Sequence, residues 1–74
     1  MDIKLGKYQH FKGKHYQVIG LAKNSETLEE LVVYQALYPS TEFGDQAIWV
    51  RPKKMFADFV EVNNELIPRF KFIK

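Results

Sequence analysis

Alternating hydrophobic and polar positions along the chain predict a series of short β-strands. β-Branched and aromatic residues are frequent in these segments, as is typical of strands. The predicted strands cover residues 6–11, 15–23, 29–38, 47–51, 60–62 and 66–73. Gly13, Gly44 and the pair Asn63 and Asn64 lie between strands and favour turns. Gly20 lies inside the second strand, where glycine more often marks a bulge or a bend.

Two segments carry helical signals, and they lead to different interpretations. Pro52 cannot donate a ladder hydrogen bond and is favoured at a first helical position, so residues 52–58 are predicted to form a short helical turn. Thr27 and Glu30 have the spacing of a capping box, which would allow a helix over residues 28–38. The β-branched and aromatic residues of that segment favour a strand instead, and the helix is kept as the alternative.

The strand count predicts a mainly β fold. Five or six short strands separated by turns are typical of a small antiparallel barrel, and a helical turn after the fourth strand is similar to SH3-like barrels. The alternative is an α+β roll in which residues 29–38 are helical. With 74 residues, the chain is long enough for a single small domain, residues 1–74, and too short for two.

Composition limits how the fold can be stabilised. The sequence has no cysteine, so a disulfide or a thiolate metal site cannot contribute, and its absence fits a reducing cytoplasm. Hydrophobic residues make up 46% of the chain and aromatic residues 15%, so stability must come from a packed core. The residues predicted to be largely buried are Val18, Val33, Ile48, Val50, Phe56, Val60 and Phe70.

Charge and hydropathy restrict the partners. The sequence shows neither a signal peptide nor an apolar run approaching the roughly 20 residues of a membrane span. We therefore expect a cytoplasmic protein without a membrane partner. The net charge of +2 is too small to indicate nucleic-acid binding by itself.

The sequence lacks the motifs of catalysis, metal binding and cofactor binding. His10 and His15 are not accompanied by the further ligands that zinc requires, and Ser25 is not part of a nucleophile elbow. We therefore expect no catalytic residue, no metal and no cofactor. An enzyme or small-ligand protein that uses neighbouring turns is the alternative. Its site would consist of His10, Ser25, Glu26 and Thr27.

Aromatic residues mixed with basic ones give the strongest functional signal. Strand alternation places Trp49 and Arg51 on one face of residues 47–51. The other face is aliphatic and better suited to a core, so we expect Trp49 and Arg51 to face solvent; the alternative is that Trp49 fills the core. The predicted binding surface consists of Trp49, Arg51, Tyr34 and Tyr38. It suits a protein segment or a single-stranded nucleic acid, and the modest net charge favours protein.

Three segments together resemble a bacterial family, domain of unknown function 1653. The matching residues are Tyr8, His10, Lys12, Gly13, Tyr16, Val18, Ser25, Glu26, Thr27, Val33, Tyr34, Leu37, Tyr38, Trp49, Arg51, Pro52 and Phe56. The resemblance extends from Gly6 to Phe72 and departs at Asn24, where many members have histidine, and in a longer loop at residues 39–46. It implies a small standalone bacterial protein and supplies no catalytic residue. Together with the aromatic and basic residues, it leads us to expect a non-catalytic binding or adaptor module.

Overall fold

Seven strands and one short helix form the regular structure of residues 3–74, the part of the chain that the computed structural model describes. In chain order they are β1 (Gly6–His10), β2 (His15–Lys23), β3 (Glu30–Ala36), β4 (Ile48–Pro52), α1 (Lys53–Phe56), β5 (Phe59–Val62), β6 (Glu65–Pro68) and β7 (Phe70–Phe72). The prediction of a mainly β fold with a helical turn near residues 52–58 is confirmed. The helical alternative for residues 28–38, and the α+β roll built on it, are wrong.

The strands form two antiparallel sheets. The larger sheet has the order β4-β3-β2-β1-β7, and β5 and β6 form a separate hairpin. β1 to β4 follow one another as a meander, whereas β7 pairs with the far side of β1. Within residues 3–74 neither sheet closes on itself, so the predicted closure into a barrel is wrong: β4 and β7 are two separate edges. The likeness to SH3-like barrels stays a prediction.

The last predicted strand is in fact two strands. The chain bends at Arg69, after Pro68, and this bend transfers it from the small hairpin to the edge of the large sheet. Arg69 binds Asp58 with its side chain at 2.7 Å, and its backbone N–H donates to the Asp58 carbonyl at 3.1 Å. These bonds fix the bend, which explains why a single run of alternating residues contributes to both sheets.

Local backbone features of three segments agree with the sequence. The register between β2 and β3 shifts between Val18 and Gly20, which confirms the predicted bulge. Asn63 and Asn64 have φ values of 53° and 67°, the left-handed conformation of a tight hairpin turn. Gly6 has a φ of 139°, and a Cβ atom there would lie 2.6 Å from the carbonyl oxygen of Lys74. Glycine is therefore required where β1 begins beside the end of the chain.

The core lies on one side of the large sheet, which we call the inner face. Its buried residues are Tyr8, Val18, Val32, Tyr34, Phe56 and Phe70. α1 supplies Phe56, whose ring stacks on that of Phe70 with centroids 4.2 Å apart and an interplanar angle of 5°. The predicted burial of Val18, Phe56 and Phe70 is confirmed.

The predicted burial of Ile48 and Val50 in β4 is wrong, whereas Trp49 has the predicted contact with solvent in part, since it is 37% exposed. Ile48 and Val50 are 61% and 60% exposed and lie on the opposite, outer face of the sheet. Trp49 pairs with Tyr34, so both side chains lie on the inner face. Alternation determines which residues share a face, but it does not determine which face is buried. On this edge strand, the large indole ring takes the inner position.

Two other valines also differ from the prediction. Val33 and Val60 are half-buried, and the neighbouring Val32 is the fully buried valine of β3. Val33 pairs with Val50 on the outer face, so its position follows from the same reversal of β4.

Candidate binding site

Four aromatic residues and one arginine line a cavity of about 200 Å³ at the β4 side of the inner face, which we call the aromatic cavity. Its residues are Tyr16 from β2, Tyr34 from β3, Tyr38 from the segment after β3, and Trp49 and Arg51 from β4. The register accounts for this grouping, because Tyr34 is paired with Val18 on one side and with Trp49 on the other. The structure thus brings together the four residues of the predicted binding surface, on the inner face and not the outer one.

The tyrosines of the cavity are held by a hydrogen bond between side chains. The hydroxyl groups of Tyr16 and Tyr38 are 2.7 Å apart, and their ring centroids are 5.5 Å apart in an edge-on arrangement. Burial raises the pKa of Tyr16 well above its usual value, and the hydrogen bond to Tyr38 raises it further. Tyr16 is therefore neutral at physiological pH, and its hydroxyl group can both donate and accept a hydrogen bond.

Arg51 provides a positive charge at the cavity wall. Its Nε donates to the hydroxyl oxygen of Tyr34 at 3.3 Å, and its guanidinium carbon lies 5.6 Å from the ring centroid of Phe70. Within residues 3–74, Arg51 makes no salt bridge, and its two terminal nitrogens make no hydrogen bond. The tyrosine and the phenylalanine thus orient the guanidinium group while leaving its outer donors available.

Lys14 and His10 lie close to the cavity, and Lys14 adds a positive charge. Lys14 Nζ is 4.6 Å from the ring centroid of Tyr38. The ring of His10 is 6.4 Å from that of Tyr16, and its Nδ1 accepts a hydrogen bond from the Lys12 backbone. Burial lowers the pKa of His10, and the charges of Arg51, Arg69 and Lys12 lower it further. This end of the inner face therefore has a positive potential that favours an anionic group.

The residues of the alternative site do not come together. His10 lies beside the turn between β1 and β2, whereas Ser25, Glu26 and Thr27 form the turn between β2 and β3, at the opposite end of β2. Asn24 holds this second turn, since its Oδ1 accepts hydrogen bonds from the backbone of Glu26 at 2.9 Å and of Thr27 at 3.2 Å. Asn24 therefore has a structural task in this turn.

A larger cavity of about 480 Å³ lies beside the same turn, and the sequence did not indicate it. Leu28 projects there from a backbone with a φ of 63° and is 69% exposed. The wall contains charges of both signs, and Glu30 pairs with Lys53 at 3.1 Å. Because this wall contains two glutamates and two lysines, it has less preference for the sign of a ligand than the aromatic cavity has.

Other sequence expectations concern what is absent. Among residues 3–74, no three histidine, cysteine or carboxylate side chains are grouped as a metal site would require. In the same part of the chain, no helix has the length and apolar character needed to cross a membrane.

The predicted binding surface omitted Tyr16 and Lys14. Tyr16 lies two residues before the core residue Val18 and therefore on the same face of β2. This spacing is the sequence signal that would have identified it.

These features define a small antiparallel β domain with an aromatic and basic cavity beside a sheet edge. The chain belongs to the DUF1653 family, whose description is "Protein of unknown function" and whose sequence profile matches residues 6–72. It is similar to a crystal structure of a DUF1653 protein from Bordetella bronchiseptica, with 33% identity and a TM-score of 0.86 over 97% of this chain and 88% of that chain. No functionally curated protein matches the chain. The family resemblance is confirmed, and it names no activity.

Proposed function

We propose that this protein is a non-catalytic binding module whose aromatic cavity receives an acidic side chain from a segment of a partner protein. The observation that supports the proposal is the state of Arg51. Its Nε is held by Tyr34, and none of residues 3–74 forms a hydrogen bond with its terminal nitrogens. The cavity wall contains no carboxylate. A guanidinium group with free terminal nitrogens binds a carboxylate through two parallel hydrogen bonds.

The surroundings of Arg51 favour the same class of ligand. Lys14 adds a second positive charge, and the hydroxyl pair of Tyr16 and Tyr38 has one proton that their mutual hydrogen bond does not use and that can be donated to an anion. The rings of Tyr34 and Trp49 limit the access of water on the inner side of the guanidinium group, which strengthens an ionic hydrogen bond. Aromatic and arginine residues are also the types that contribute most to the affinity of protein interfaces.

A protein segment fits the site better than a single-stranded nucleic acid. Phe43 packs against Trp49 with ring centroids 5.1 Å apart, and Lys14 lies over Tyr38, so the ring surface available for stacking a base is reduced. The cavity of about 200 Å³ has the size for one side chain. The net charge of +2 also gives little general attraction for a polyanion. We place this activity in the cytoplasm, because a protein without cysteine has no disulfide that would require an oxidising environment.

Selection from a displayed library of random peptides tests the proposal. We expect the wild-type protein to enrich peptides with an aspartate or glutamate at one position, and Arg51→Gln to lose this enrichment. Lys71→Gln is the matched control, because it removes one positive charge from an exposed residue on the outer face. Its enrichment should equal that of the wild type.

Two results would contradict the proposal. One is the absence of any enriched peptide together with binding of a single-stranded oligonucleotide whose affinity falls steeply with salt. The other is an enriched set without an acidic position, or one that Arg51→Gln retains. Either result would show that the aromatic cavity does not recognise an acidic side chain.

A further inference from the structure

The free edge of β4 offers backbone hydrogen-bonding groups next to the aromatic cavity. The N–H of Ala36 donates to the carbonyl oxygen of Ala47 at 2.8 Å, which sets the phase of the ladder between β3 and β4. In an antiparallel ladder alternate residues exchange both bonds, so Trp49 and Arg51 direct their backbone groups toward β3. The N–H and C=O groups of Ile48 and Val50 therefore point away from β3, toward the side where the large sheet ends.

This edge has two of the features that usually prevent strand pairing, the inward-pointing charge of Arg51 and proline at its last residue, but the strand has no lysine and its side chains at residues 48 and 50 are exposed. Protective edges carry lysine, proline or inward-pointing charges, or are covered by other elements. Ile48 and Val50 are β-branched, exposed and uncharged, and proline comes only at the last residue of β4. The opposite edge strand, β7, has three residues with Lys71 in the middle. β4 is thus the edge better suited to accept another strand.

We propose that the partner's acidic segment binds as an added β-strand along the free edge of β4. This inference rests on the proposed function and specifies how the segment binds. Side chains of an added strand alternate between the two faces of the sheet. A side chain on the inner face would lie next to Trp49 and Arg51, at the aromatic cavity. Its neighbours in the segment would lie on the outer face, beside Ile48 and Val50.

This geometry defines the chemistry of the segment. It has one acidic residue for the inner face, flanked on both sides by apolar and preferably β-branched residues for the outer face. A second copy of this protein is the less suitable occupant. Pairing β4 with β4 would bring two Arg51 side chains into one short ladder, and β4 contains no carboxylate to neutralise them.

Proline substitution in the edge strand tests the proposal. Val50→Pro removes an N–H that points to the free edge, while the ladder to β3 does not use that group. Val50→Ala is the matched control, because it shortens the same side chain and keeps the N–H. The probe is the pool of peptides enriched by the wild-type protein in the selection described above. We expect Val50→Pro to weaken binding about tenfold or more relative to Val50→Ala, with thermal unfolding showing that both variants are folded.

N-methylated peptides provide a second test that leaves the protein unchanged. The most enriched peptide is synthesised with one backbone amide methylated at a time. Strand addition predicts that methylation weakens binding at every second position and has little effect between them. A uniform effect at all positions, or none, would overturn the proposed pairing even if Val50→Pro fails to fold.

The outcomes separate this inference from the proposed function. If Arg51→Gln abolishes binding but Val50→Pro binds like Val50→Ala, the acidic side chain is recognised without strand addition, and this inference is wrong. If neither change weakens binding, both proposals fail. If sedimentation shows a wild-type dimer that Val50→Pro converts to a monomer, the edge pairs with a second copy, and the inference is overturned.

Discussion

The inner face of the large sheet has two halves that are both aromatic but differ in polarity and burial. In the first half, Phe56 is 1% exposed and Phe70 is 7% exposed, and α1 covers the sheet. In the second half, the three tyrosine rings end in hydroxyl groups, a guanidinium group lies among them, and Trp49 is 37% exposed. Tyr34 lies at the boundary, because it is buried and its ring also contacts Phe56 and Phe70. We call these the buried half and the open half. The difference shows that aromatic content alone does not separate a core from a binding site.

The covering element and the polar ends of the side chains make the difference. Phenylalanine has no polar atom to satisfy, so Phe56 and Phe70 can stack face to face out of contact with water. Tyrosine and arginine need hydrogen-bond partners, and in the open half they find them in each other, as in the pair Tyr16 and Tyr38. We therefore expect substitutions in the buried half to affect mainly stability and those in the open half to affect mainly binding.

The largest effect is expected in the buried half. Phe56→Ala should lower the free energy of unfolding by about 3–5 kcal/mol, because it removes a buried ring and leaves a cavity. Phe59→Ala is the matched control: this ring is 56% exposed, so its loss should cost about 1 kcal/mol or less. Urea denaturation measures both values. Equal losses for the two variants would remove the distinction between covered and uncovered rings.

An intermediate effect is expected for the hydrogen bond of the open half. Tyr16→Phe and Tyr38→Phe should each lower the free energy of unfolding by about 0.5–1.5 kcal/mol, since each removes the same bond between hydroxyl groups. The double variant should therefore lose little more than one single variant. A double-mutant cycle measures this coupling. Losses that simply add would mean that the two hydroxyl groups do not stabilise each other.

The smallest effect concerns His10, at the boundary between the two halves. Burial and the neighbouring cations lower its pKa in the folded state, whereas in the unfolded chain the pKa is about 6.5. The unfolded state therefore binds more protons than the folded state between these two values. The contribution of neutral His10 to stability is complete above the unfolded value and is lost as the pH falls through the folded one.

Thermal unfolding near neutral and near mildly acidic pH checks this expectation. On acidification from about pH 7.5 to about pH 5.5, the Tm of the wild type should fall by a few degrees more than that of His10→Gln. Both proteins have the same carboxylates, so the effect of carboxylate titration on Tm cancels when the two falls are compared. An equal fall in both would show that His10 takes up its proton as readily in the folded state as in the unfolded chain.

The sequence predicted the strands well because they depend on local patterns. The second strand was placed at residues 15–23, which are the bounds of β2, and the bulge followed from Gly20. The grouping of Trp49 with Arg51 also followed from alternation. The orientation of β4 did not, because period-two alternation fits either face, and the choice depended on whether a ring or an aliphatic pair packs against Tyr34.

Features that depend on long-range register were beyond the sequence. The contact between Tyr16 and Tyr38 joins β2 to the loop that follows β3. Arg51 of β4 lies over the ring of Phe70, which belongs to β7 at the other edge of the large sheet. The change of sheet at Arg69 depends on its ion pair with Asp58, eleven residues earlier in the chain. Each of these contacts follows from how strands are placed beside one another, which no local pattern encodes.

The pairing of β7 with β1 has a consequence for how the chain folds. The neighbouring strands of the meander pair across connections of at most eleven residues, whereas β7 joins Tyr8 to Phe72 across nearly the whole sequence. Closing so long a loop costs more chain entropy and is slower than forming a hairpin. We therefore expect the meander to form early and β7 to dock late, after the transition state for folding. Substitutions in β7 should accordingly speed unfolding and leave the folding rate nearly unchanged.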